Sequence, residues 1–119
     1  MAKTKKEVTA KNYTLRDDNG NWLGQVVLTN DGMFASVTDY GNLSFAWRSY
    51  GENFRQFLIG LNVSYFAQKM YQGNTYILYS KKCEQACYRF AEKILPALQK
   101  VLKEEVESEK TNYFIEIKH

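Results

Sequence analysis

The sequence predicts a single α+β domain: a four-stranded antiparallel meander, helices packed on one of its faces, and a long C-terminal helical segment. Three observations carry that expectation. Short alternating apolar and polar runs in the first half are separated by glycine-containing turns. The second half changes to apolar residues three and four apart. With 119 residues, 45% hydrophobic and 24% charged, the chain has globular composition and length for one core.

Taken in order, Tyr13 and Leu15 alternate with Thr14 and Arg16 in a first strand, and Asp17-Asp18-Asn19-Gly20-Asn21 supplies turn residues. A second strand runs over Trp22–Thr29 and ends in the hairpin signal Asn30-Asp31-Gly32. The third strand, residues 33–39, leads through Tyr40-Gly41-Asn42 to a fourth over residues 43–49. Period-two alternation places Leu43, Phe45 and Trp47 on the helix-facing side, together with Met33, Ala35 and Val37. Phe34, Ser36, Thr38, Tyr40, Ser44, Arg48 and Tyr50 then form a mixed face of rings, hydroxyls and a guanidinium.

Helical spacing begins with Phe54, Phe57, Leu58 and Leu61. Gly60 weakens that helix near its end, and Asn62 caps a second carrying Val63, Phe66, Ala67 and Met70. Gln72-Gly73-Asn74 breaks the chain, residues 75–79 have strand propensity, and Ser80 caps a long helix. Its stripe is Cys83, Ala86, Cys87, Phe90, Ala91 and Ile94, resuming after Pro96 with Leu98, Val101, Leu102 and Val106. Proline inside a helix costs roughly 3 kcal/mol, so Pro96 marks either a compensated kink or a new start. Residues 111–118 alternate Tyr113, Ile115 and Ile117 and read as a final edge strand. The expected core is Leu43, Phe45, Trp47, Val37, Phe57, Leu58, Phe66, Phe90, Ala91 and Ile94.

The net charge of +3 is uneven: +4 over residues 1–16, −2 over 17–80 and +1 over 81–119. Residues 1–10 read as a flexible basic arm ahead of a domain over 11–119. No apolar run reaches membrane-spanning length, and the basic start lacks the apolar stretch of a secretory signal. Two cysteines four apart make no disulfide framework and fit a reducing cytoplasm.

Catalysis is not expected. The one histidine is His119 at the end of the chain, and the acidic pairs Asp17-Asp18 and Glu104-Glu105 fall on a turn and a solvated helix face. Cys83 and Cys87 read as core thiols, so neither a metal nor a cofactor is expected. What remains is binding. Arg48 and Arg55, with Tyr40 and Tyr50 as stacking neighbours, flank the turn Tyr50-Gly51-Glu52-Asn53 and suit a nucleotide or an acidic partner. Asp39 or Glu52 pairing with these arginines is the plainer alternative.

Ser36-x-x-Asp39-Tyr40-Gly41, Trp47-Arg48, Gly51, Phe54-Arg55-x-Phe57-Leu58 and Tyr65 together resemble small accessory proteins of tailed phages and prophages, over roughly residues 22–71. The resemblance implies a viral origin and a place in the bacterial host's cytoplasm, and it assigns no residue roles. It suggests a stoichiometric inhibitor of host defence, of the anti-CRISPR or signal-sequestering type, binding an immune protein or its nucleotide messenger. Single-stranded nucleic-acid binding by the basic arm, through Lys3, Lys5, Lys6 and Lys11, together with the aromatic face is one alternative. A homo-oligomeric virion or assembly piece is another, with Leu98, Val101, Leu102 and Val106 as the seam of a homodimer.

Overall fold

The computed structural model describes residues 7–74 and 80–118, the last seven of these by backbone alone. Four strands, β1 (Ala10–Arg16), β2 (Trp22–Thr29), β3 (Met33–Thr38) and β4 (Ser44–Ala46), form an antiparallel sheet in the order β1-β2-β3-β4. Three helices follow: α1 (Phe54–Ile59), α2 (Val63–Gly73) and α3 (Lys81–Lys118). The architecture is the predicted α+β meander with a long C-terminal helix. The predicted strand over residues 75–79 and the first six residues of the basic arm lie outside the described residues. Ala10 already belongs to β1, and Asn30 holds the preceding segment. Its side chain accepts from the Thr9 amide at 3.0 Å and donates to the Glu7 carbonyl at 2.9 Å.

Cross-strand register sorts the two faces. Lys11, Leu28, Phe34 and Phe45 share one row, and Tyr13, Val26 and Ser36 the next. Apart from Lys11 at the edge, these point toward the helices, with Val26 and Phe34 fully buried. Asn12, Val27, Ala35 and Ser44 form a row on the opposite face, beside Thr14, Gln25 and Val37.

This corrects the predicted facing of β3: Phe34 and Ser36 point inward, whereas Met33 and Val37 are 42% and 58% exposed. The cause is the turn. Thr38 and Gly41 pair across a two-residue loop, Asp39-Tyr40, rather than across Tyr40-Gly41-Asn42. Moving the loop by one residue exchanges the faces of the whole strand. Val37 therefore leaves the expected core. The β3 part of the mixed face is not a surface, because Phe34 lies edge-on to Phe66 at 5.3 Å, whereas Ser44 and Arg48 are exposed on the opposite side of the sheet. Buried Ser36 is satisfied by donating to the Leu43 carbonyl at 2.7 Å.

The helices begin and end for local reasons. Asn53 and Asn62 cap α1 and α2 through their side-chain oxygens, and Gly60 closes α1. The Ser80 hydroxyl accepts from the Cys83 amide at 3.1 Å at the start of α3. Gln99 on α3 donates to the carbonyls of Leu58, Ile59 and Leu61 at 2.8–3.1 Å, tying the end of α1 to the long helix. Without that tie, a six-residue helix has little stability of its own.

Helix α3 runs through Pro96 without a break. Pro96 and Glu92 both lie on the exposed side of the helix, away from the packed core, where loss of one intrahelical hydrogen bond costs least. The stripe beyond Pro96 returns to the chain's own core: Leu98 and Leu102 are fully buried. It cannot serve as the seam of a homodimer. The expected terminal strand is also replaced, since residues 111–118 continue α3. Propagating an existing helix adds a hydrogen bond per residue and needs no new nucleus, which outweighs a weak two-residue alternation.

Aromatic packing joins the layers. Phe66 stacks with Phe90 at 6.3 Å, and Trp47 lies among Phe45, Phe54, Phe57 and Phe66 at centroid distances of 4.7–6.2 Å. The Trp47 indole N–H donates to the Tyr65 hydroxyl at 3.2 Å, which satisfies its one polar atom.

Candidate functional site

Two regions gather chemistry, and they differ in whether their polar groups are free. The first lies where α3 leaves the sheet. The buried positions Leu95, Leu98 and Leu102 continue at the same spacing as Glu105 and Glu109. Glu105 accepts from Lys11 at 2.8 Å, Tyr13 at 2.9 Å and Arg55 at 2.6 Å. Glu109 takes Arg55 through two oxygens at 2.7 and 3.0 Å. Burial pushes the Glu105 carboxyl up, but the bonds from Lys11, Arg55 and Tyr13 outweigh it and hold the group below its ordinary value. The Arg55 bond likewise lowers Glu109. Burial, then donation to Glu105, raises the Tyr13 phenol.

Beside this cluster lies a cleft of about 270 Å³ whose walls include Lys11, Tyr13, Asn30, Tyr50 and Arg55. Most of its polar side chains are engaged with the protein itself, Glu52 at the rim being the exception. Tyr50 donates to the Asn30 carbonyl at 2.9 Å, and the Asn30 side chain holds the chain start. The arrangement is a joint between β1, α1 and α3.

Of the four residues predicted to bind, Tyr50 and Arg55 share this cleft. Tyr40 stands at the β3–β4 turn, with the Arg89 guanidinium 5.7 Å from its ring centroid. Arg48 is exposed just past β4 and has no hydrogen bond or ion pair among the described residues. The partners of Arg55 are Glu105 and Glu109, not Asp39 or Glu52.

The second region is the sheet face opposite the helices. Met33, Val37 and Trp22 stand 42%, 58% and 38% exposed, with Ala46 open and Val27 and Ala35 half-buried between them. Thr14, Gln25 and Ser44 surround this aliphatic centre, and Arg16 and Arg48 lie at its ends. No helix covers it.

Among the described residues, no group of three His, Cys, Asp or Glu could hold a metal ion. Cys87 is buried, and burial raises its thiol, as expected of a core cysteine. No helix among the described residues is long and apolar enough to cross a membrane.

These features define a two-layer α+β protein with one bare sheet face. The chain belongs to a phage family: a family model of that description matches residues 2–82, about two thirds of its length. That match agrees with the resemblance seen over residues 22–71 and ends at the first turn of α3. Neither the curated proteins nor the solved structures contain a match.

Proposed function

We propose that this phage protein is a non-enzymatic binding protein that antagonises host antiviral defence inside the bacterial cell. It acts stoichiometrically, by docking its bare sheet face on an immune component. The observation that carries the reading is the exposure of Met33 and Val37, on either side of half-buried Ala35 along β3, in a four-stranded sheet whose other face packs against the helices. A contiguous apolar patch with a polar rim is the anatomy of a protein interface. A protein partner is favoured over a nucleotide messenger because Tyr50 and Arg55, the groups in the cleft suited to a nucleotide, are spent on internal bonds, and the remaining Glu52 would repel a phosphate.

The test is affinity capture from host lysate, with mass spectrometry of retained proteins and small molecules. The reading expects one host protein in near-equal amount, lost with Val37→Asp while the melting temperature is unchanged. Capture that is indifferent to Val37→Asp, or retention of a nucleotide alone, would count against it.

A further inference from the structure

We infer that the outer edge of β1 is a second docking site, which takes an extended segment of another protein as an added strand. This edge is separate from the sheet face and does not rest on the reading given to it. The two edges of the sheet are finished differently. At the β4 edge, the Ser44 amide donates to the Asn74 side-chain oxygen and the Ser44 carbonyl accepts from the Asn74 side-chain nitrogen, both at 3.4 Å. Asn74 is buried, so the end of α2 closes that edge. β1 has no such cover among the described residues.

The bonding pattern shows which groups of β1 are open. The Asn30 amide donates to the Thr9 carbonyl at 3.1 Å, and the Asp39 amide to the Leu23 carbonyl at 3.0 Å. Residues along a strand alternate between bonding one neighbour and the other. Lys11, Tyr13 and Leu15 therefore bond to β2, while the amides and carbonyls of Ala10, Asn12 and Thr14 point away from the sheet. All three residues are exposed, over about 13 Å of strand. Such a row of alternating donors and acceptors matches the backbone of another strand.

The helix beneath selects the occupant. Tyr13 and Leu15 are buried although they lie on an edge strand, because α3 runs beneath β1, where Glu105 bonds Lys11 and Tyr13. A second copy paired edge to edge would bring its own α3 beneath its own β1. Paired strands lie about 4.8 Å apart, whereas packed helix axes need about 8–10 Å. A segment with no helix under it meets no such conflict. On α3, Gln85, Tyr88 and Glu92 face α2 across a groove, and helical spacing turns half-buried Ala97 and Val101 to the other side. Since α2 packs beside β4, that side is the one toward β1. Alternate side chains of an added strand lie over this shelf, so the segment carries small or aliphatic residues at every second position. Charge does not select it: Lys11 pairs with Glu105, Asp17 accepts from the Asn19 and Asn21 amides, and Asp18 stands 3.8 Å from Lys100.

The probe is a displayed library of random ten-residue peptides, selected on the immobilised full chain. Asn12→Pro/Thr14→Pro removes two outward amides and leaves every bond to β2 in place, so this variant should still melt cooperatively. The inference expects enriched peptides with alternating small or aliphatic residues, bound about tenfold more weakly or worse by the proline variant and equally well by Val37→Asp. Hydrogen exchange on the wild type tests the same point without a variant. A peptide should slow exchange at the Ala10, Asn12 and Thr14 amides and leave those of Lys11 and Tyr13, already slow, unchanged. If no peptide enriches above an empty support, or bound peptides leave the three outward amides unprotected, the inference fails. Binding lost with Val37→Asp but kept by the proline variant would move the site to the sheet face and overturn it. A dimer in light scattering that the proline variant dissociates would overturn it in favour of a second copy.

Discussion

Arg55 in the first turn of α1 and Glu105 on α3 meet at 2.6 Å across 50 residues of sequence, and their pairing pins the far part of the long helix to the rest of the fold. Both glutamates of this joint are held below the ordinary carboxylate value of 4.5. A carboxylate with a depressed folded pKa contributes stability that is present above its unfolded pKa and lost as pH falls through the folded one. Stability should therefore be flat near neutrality and fall below about pH 4.5. Glu105→Gln should cost about 1–3 kcal/mol at pH 7 and flatten the acid limb. Denaturation midpoints from pH 7 to 3 check both, and an unchanged acid limb in Glu105→Gln would remove the joint from the account.

Gln99→Ala should cost about 1–2 kcal/mol, because it leaves the carbonyls at the end of α1 without their donor. Hydrogen exchange in residues 54–61 should quicken before the sheet does, since α1 opens locally. Equal protection in α1 and β2 would show that the cap is dispensable.

Two glycines separate backbone conformation from space. Gly20 has φ +83° with nothing within 4 Å of an added methyl group, so Gly20→Ala should cost about 1–2 kcal/mol, the left-handed penalty alone. Gly32 has φ +101°, and a methyl there would overlap the Trp47 carbonyl oxygen. Gly32→Ala should cost roughly 3 kcal/mol or more. Melting curves showing equal losses would contradict the packing of that turn beneath Trp47.

Helix α3 supplies Phe90, Ala91, Ile94, Leu95, Leu98 and Leu102, all fully buried, to the core under the sheet. A chain ending at Ser80 should lack a cooperative thermal transition, although it contains nearly all of the family-matched region. A sharp transition from that fragment would mean the sheet and α2 form a core by themselves.

Local chemistry was the legible part of the fold. Turn glycines, the Asn62 and Ser80 caps and the period-two strands each depend on a few adjacent residues. The facing of β3 was not legible, because it turns on whether Gly41 sits inside the loop or closes it. Counting apolar residues favoured Met33, Ala35 and Val37 over a set whose burial is decided by Phe34. Arg55 was singled out to bind a nucleotide or an acidic partner, with Asp39 or Glu52 as the plainer pairing; its guanidinium meets Glu105 and Glu109, which lie on another helix. The one local sign was a hydrophobic stripe turning to glutamate at positions 105 and 109. Gln99, a polar residue between buried leucines, gave no local signal of the carbonyls it meets.

The measurement that bears most directly on the bare face as the working surface is hydroxyl-radical footprinting of the protein, free and bound to its captured partner. Met33 is exposed on the sheet and reactive, whereas Tyr88 is exposed on the helical side. The account predicts that binding protects Met33 and leaves Tyr88 modified at its free rate. Protection of Tyr88 with Met33 still fully oxidised would place the contact on the helices and contradict it.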